Sequence, residues 1–185
     1  MRVLVAYASR HGATAGIAER IGSVLADEGI AVDVRTITDV RVMERGAQLD
    51  RYDAFVVGSA VYGNHWLGDA RDFVRRNARL LITYPVWMFG SGPLGDTATD
   101  DKGNDLMKPP PEMVQLADEV AAKESRIFFG AYDPTAKPMG LMEHLVRLAP
   151  ASKEVLPHGD FRNWQGIEEF ARTVARELTA SALPA

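Results

Sequence analysis

Val5-Ala6-Tyr7-Ala8-Ser9-Arg10-His11-Gly12-Ala13-Thr14-Ala15-Gly16-Ile17-Ala18-Glu19-Arg20-Ile21 carries the decisive change of pattern in this chain. From Arg2 to Ala8 the run is β-rich and apolar, with no polar alternation after Arg2, as a strand covered on both faces requires. Beyond it, apolar residues fall at Ile17, Ile21, Val24 and Leu25, a spacing that predicts a helix over 14–27 with Gly29 as its stop. Between the two stand Ser9, Arg10, His11, Gly12, Ala13 and Thr14. Small and hydroxyl residues there let backbone N–H groups and side-chain hydroxyls converge on a dianion. The helix that follows adds its positive N-terminal end. The spacing is neither Gly-x-Gly-x-x-Gly nor a Walker A loop, which demotes dinucleotides and nucleoside triphosphates. An ordinary strand-to-helix turn with Thr14 as its N-cap is the competing reading.

Working outward, strands and helices keep alternating. Strands are predicted at 30–37, 52–58, 86–89 and 126–131, and helices at 67–81, 112–122 and 161–180. The segment 94–108 is long and polar, so it is expected to be mobile or ordered by a ligand. The alternation predicts one α/β domain over 1–185, built on a doubly wound, five-stranded parallel sheet. Residues 132–160 read as an insertion before the last helix, with a short helix of their own at 139–148.

Composition narrows the chemistry. The 185 residues contain no cysteine, which removes disulfides, iron–sulfur clusters and thiolate catalysis, so redox chemistry would need a bound cofactor. A formal net charge of −4 argues against a nucleic-acid partner. The N-terminal apolar run is too short for a signal-peptide core, and no apolar stretch approaches the ~20 residues of a spanning helix. The expected location is the cytoplasm. His11, His65, His144 and His158 are not spaced as a metal site.

The run from Val5 to Ile21 resembles the N-terminal signature of flavodoxins. Ser9, Gly12 and Thr14 match the fixed positions of a Ser/Thr-x-x-Gly-x-Thr loop, whereas His11 stands where a hydroxyl is usual and Ala13 where Asn or Gln is usual. The resemblance implies a three-layer sandwich with strand order 2-1-3-4-5 and one FMN held without a covalent bond. Its phosphate would lie in the loop Ser9, Arg10, His11, Gly12, Ala13 and Thr14. Its ring would lie between Ser59-Ala60-Val61-Tyr62-Gly63-Asn64-His65-Trp66 and Ser91-Gly92-Pro93-Leu94-Gly95-Asp96. Tyr62 and Trp66 are candidates to stack on the ring. Gly63 tolerates the positive φ that a peptide turned toward the flavin N5 needs. Both aromatics could instead pack on the next helix, and residues 90–95 could be a structural turn.

A closer resemblance is to the flavodoxin-like menaquinone-dependent protoporphyrinogen oxidase family. It is carried by the Ser9-Arg10-x-Gly12-x-Thr14 form of the loop and by Val57-Gly58-Ser59-Ala60-Val61-Tyr62-Gly63 with Asp72-Phe73-Val74-Arg75-Arg76 following. Gly130-Ala131 and the insertion before Asp160-Phe161-Arg162-Asn163-Trp164 complete it. It implies an FMN-dependent oxidoreductase of haem biosynthesis that passes electrons to a quinone or a redox partner protein, with no side chain acting as a nucleophile. Peripheral membrane contact stays open. Arg10, His11 and His65 near the ring predict a higher potential than a low-potential shuttle has. Two alternatives remain: an electron-carrier flavodoxin, and a flavin-free interaction domain of the same fold.

Overall fold

The computed structural model describes residues 1–44, 49–95, 97–100, 102–132 and 158–182. Its strands are β1 (Arg2–Ala8), β2 (Ala31–Thr36), β3 (Ala54–Tyr62), β4 (His65–Trp66), β5 (Val86–Ser91), β6 (Glu124–Phe128), β7 (Ala131–Tyr132) and β8 (Gly159–Asp160). Its helices are α1 (Ala13–Asp27), α2 (Ile37–Glu44), α3 (Gly68–Leu81), α4 (Pro111–Glu119) and α5 (Trp164–Ala182). The main sheet runs β2-β1-β3-β5-β6 with every pair along this path parallel, and β4 hangs antiparallel from β3. Without that two-residue strand, the order is the expected 2-1-3-4-5.

The apolar runs are explained by two cores, one on each face of the sheet. Leu4, Ala6, Phe55, Val57, Val86 and Met88 pack against Ile37 and Val40 of α2, Phe73 and Val74 of α3, and Met113 and Leu116 of α4. Val3, Val5, Val56, Trp87 and Phe89 face the other way, onto Ile17, Ile21 and Leu25 of α1 and Ile167, Phe170 and Val174 of α5. Alternate residues of each central strand are therefore buried on opposite sides, and Ser59 and Ser91 are polar residues buried among them. Helix α1 ends as expected at Gly29, whose N–H donates to Ala26 O while the Ile30 N–H donates to Leu25 O.

The boundaries differ from the sequence reading in informative places. The second strand stops at Thr36, because Thr36 caps α2: its Oγ1 accepts the Asp39 N–H at 3.1 Å and donates to Asp39 Oδ2 at 2.7 Å. The third strand continues four residues past Gly58, so Ser59 to Tyr62 are strand rather than loop. The fifth parallel strand begins at Glu124 and ends at Phe128. Ala131–Tyr132 instead pairs antiparallel with Gly159–Asp160, which ties the two ends of the insertion into a short stem. The last helix starts at Trp164 rather than Phe161, since Asn163 Oδ1 accepts the Gly166 N–H at 3.0 Å. The helix expected at 139–148 falls outside the described residues. No helix among the described residues is long and apolar enough to cross a membrane.

Candidate functional site

Three connections meet at the C-terminal edge of the parallel strands. The first joins β1 to α1. Gly12 takes φ 84, with nothing within 4 Å of where its Cβ would stand, and its N–H donates to Ser9 Oγ at 3.1 Å. Gly12, not Thr14, is the N-cap of α1; no side chain caps the helix, and its first turn contains no acid. The first intrahelical bond runs from Gly16 N to Gly12 O at 2.9 Å. The N–H groups of Ala13, Thr14 and Ala15 therefore have no acceptor within the helix. Thr14 itself is 1% exposed, the most enclosed member of the loop.

The second connection is a hairpin. Val61 pairs with Trp66 and Tyr62 with His65 across Gly63 (φ 55) and Asn64 (φ 65), two successive positive φ values as in the tight turns that match strand twist. This geometry separates the two candidate aromatics. Tyr62 stays 46% exposed, with the Arg10 guanidinium 5.3 Å above its ring. Trp66 is 2% exposed, and its ring packs in the core beneath α3 and α4. Ser59 is fully buried; its hydroxyl accepts the Leu67 N–H at 3.0 Å and donates to Ala60 O at 2.9 Å. Ala60 is also buried, while Val61 packs at the edge of the core.

Glu112, in the first turn of α4, braces this hairpin. It accepts from Trp66 N at 2.8 Å, from Arg71 Nη1 at 3.0 Å, and contacts His65 Nδ1 at 3.2 Å. Its side chain is 13% exposed. Burial alone would raise its pKa, but the Trp66 amide, Arg71 and His65 together hold it below the ordinary value. Sequence reading missed Glu112; the available signal was an acid opening a helix straight after Pro109-Pro110-Pro111.

The third connection leaves β5. Ser91 is still strand and 3% exposed. Gly92 N donates to Phe128 O at 3.3 Å, and Gly130 N donates to Pro93 O at 2.8 Å, so the loop is stitched to the connection after β6. Leu94 and Gly95 are half-buried, and Gly95 takes φ 118; Asp96 falls outside the described residues. The segment beyond, expected to be mobile or ligand-ordered, holds bonds of its own. Asp100 accepts from Lys102 N, Asn104 N and Asn104 Nδ2, and these hydrogen bonds, that of the Asn104 side chain foremost, lower its pKa.

A family model described as a flavodoxin domain matches residues 4–135, a span that contains all three connections. The chain belongs to the flavodoxin domain family. A curated relative, protoporphyrinogen IX dehydrogenase (quinone) of Escherichia coli strain K12, is 31% identical over 85 residues, which is 46% of this chain and 45% of the relative. The chain thus aligns with less than half the length of that relative. Among solved structures, oxidised flavodoxin 2 from Bacillus cereus superposes with a TM-score of 0.59 at 21% identity, over 96% of this chain and 99% of that one. Rubredoxin oxygen:oxidoreductase from Desulfovibrio gigas gives 0.61 at 16% identity, over 99% of this chain and 37% of that one. The flavodoxin superposition covers both chains almost completely and supports the fold of the described residues.

Proposed function

We propose that the chain binds one FMN non-covalently at the C-terminal edge of its sheet and works as an FMN-dependent oxidoreductase, with a porphyrinogen as electron donor and a quinone as acceptor. The observation that carries the flavin reading is the start of α1. Its N–H groups lack intrahelical acceptors, no side chain caps them, no acid stands in the first turn, and a Cβ on Gly12 would meet nothing within 4 Å. That is a fit for a phosphate ester. Ser9, Arg10, His11, Gly12, Ala13 and Thr14 would surround the phosphate.

Tyr62 is the aromatic with an exposed face, so it would cover the ring, with Gly63 and Asn64 beside it. The backbone of Gly92, Pro93, Leu94 and Gly95 would line the opposite edge. Ser59 and Trp66 support these walls from inside rather than touching the ligand. When bound, the flavin supplies the electron-accepting ring; the chain contributes binding, orientation and exclusion of water. Each turnover moves two electrons and two protons from the porphyrinogen to the quinone, leaving a quinol. Identity to the Escherichia coli dehydrogenase supports this substrate class.

Full-length likeness to a flavodoxin keeps a carrier role as the second reading. One series of measurements decides. Titration of the purified protein with FMN and with riboflavin, followed by flavin fluorescence and melting temperature, should give tight one-to-one binding that prefers FMN. Absence of binding would leave only the flavin-free interaction role. With FMN bound, oxidation of protoporphyrinogen by a menaquinone analogue marks the enzyme, whereas exchange of electrons with protein partners alone marks a carrier.

A further inference from the structure

The segment Asp160-Phe161-Arg162-Asn163-Trp164 lies outside the three connections, yet it reaches the first of them. Arg162 gives Nε to Asp160 Oδ1 at 2.7 Å and Nη2 to Asp160 Oδ2 at 2.6 Å, a two-pronged pair. Its guanidinium lies over the Trp164 ring, 4.4 Å from the centroid. Both contacts leave Nη1 pointing at α1, where it donates to Ala13 O at 3.5 Å. Gly16 makes the approach feasible, because a Cβ there would stand 2.4 Å from Nη1. The Arg162 side chain is 17% exposed, so the charge is held in place rather than waving in solvent.

Asp160 balances this charge from outside α1. The first turn of a helix is its positive end and favours anions. The first turn of α1 has no acid to offset a cation, and the Arg162 carboxylate partner sits on the insertion stem, not on α1. Arg10, the other cation of this neighbourhood, is turned toward Tyr62. We infer that Arg162 is a positioning residue for the phosphate of the ligand: it fixes the first turn of α1 through Ala13 O and sets a cation against the flank of that turn, so that the site selects a phosphorylated flavin over the free one. This rests on the flavin reading above. It also gives the Asp-Phe-Arg-Asn-Trp motif a task. Asp160 orients the guanidinium, Trp164 supports its plane, and Asn163 starts the helix that carries Trp164.

The test is a set of titrations of the full chain with FMN and with riboflavin, for wild type, R162M and R162K, at low and high salt. R162M is expected to weaken FMN about fivefold or more while riboflavin changes less than about twofold. R162K should recover part of the loss, and the salt dependence of FMN binding should be shallower in R162M. Equal weakening of both ligands, or of neither, would overturn the inference. Should R162M fail to fold, R162K alone decides: its FMN-to-riboflavin preference must fall below that of the wild type, and an unchanged preference overturns the idea. Should wild type bind no flavin at all, the flavin reading falls, and inorganic phosphate becomes the probe. A rise in melting temperature that is smaller in R162K or R162M then supports the arginine's role, and equal rises overturn it.

Discussion

The guanidinium of Arg10 sits 5.3 Å above the ring of Tyr62, so a residue of the first connection is joined to one of the hairpin across the C-terminal edge of the sheet. A flavin ring lying on Tyr62 would share that neighbourhood with a permanent cation. Removing the cation disfavours the reduced, more negative flavin. R10A is therefore expected to lower the two-electron midpoint potential of the bound cofactor by roughly 30 mV, the equivalent of about 1.4 kcal/mol. Potentiometric titration of wild type and R10A checks this, and equal potentials would remove Arg10 from the ring's surroundings.

Tyr62 and Trp66 give opposite expectations because their burial is opposite. Y62A should weaken FMN binding roughly tenfold, about 1.4 kcal/mol, by loss of an exposed stacking face, while Y62F should bind as wild type. W66F should leave FMN affinity within about twofold, since that ring packs in the core. Among the described residues the indole N–H of Trp66 has no hydrogen-bond partner, so its loss in W66F removes no bond to them. W66A empties the same space and should cost about 3–5 kcal/mol of stability. A tenfold affinity loss in W66F with normal stability would return Trp66 to the flavin.

Gly12 holds φ 84 in open space, so an alanine there meets strain but no clash. G12A should cost about 1–2 kcal/mol in chemical denaturation. If the loop cradles a phosphate, FMN affinity should fall more than riboflavin affinity. A stable G12A that keeps the full preference for FMN would mean that the left-handed Gly12 backbone does not shape the cradle.

How much of this was legible in the sequence depends on the range of the interaction. The β1 run and the Ile17-Ile21-Val24-Leu25 stripe record burial residue by residue, so the alternation of strands and helices was readable, whereas the strand order was implied by the resemblance to flavodoxins. The cap of α2 is also written locally, in Thr36-Ile37-Thr38-Asp39, but Ile37 extends the apolar alternation of the strand and masks it. The hairpin had a signal too: Gly63-Asn64 between Val61-Tyr62 and His65-Trp66 is a two-residue turn. Taking it as a loop left the burial of Trp66 unread, since stacking and packing demand the same residue. Contacts distant in sequence left no local trace. Arg71 and Glu112 meet across 41 residues, and Arg162 and Ala13 across 149. The motif around Arg162 was visible, but its target on α1 was not.

Glu112 makes the brace of the hairpin pH-dependent. Its folded pKa lies below its unfolded value, because Trp66 N, Arg71 and His65 hydrogen-bond the carboxylate more effectively than burial penalises it. The stabilisation is therefore complete above the ordinary glutamate range and is lost as pH falls through the depressed folded value. E112Q removes the charge at every pH. It should lower stability by about 1–3 kcal/mol near neutral pH, as loss of charged hydrogen bonds to a largely enclosed group does. The gap between wild type and E112Q should then narrow steadily as the solution is acidified past the ordinary glutamate pKa. Melting curves of both proteins from neutral to acid pH measure that gap. A gap that stays constant through the acid limb would mean that the Glu112 charge does not support the fold, and that His65 and Trp66 are held by the turn alone.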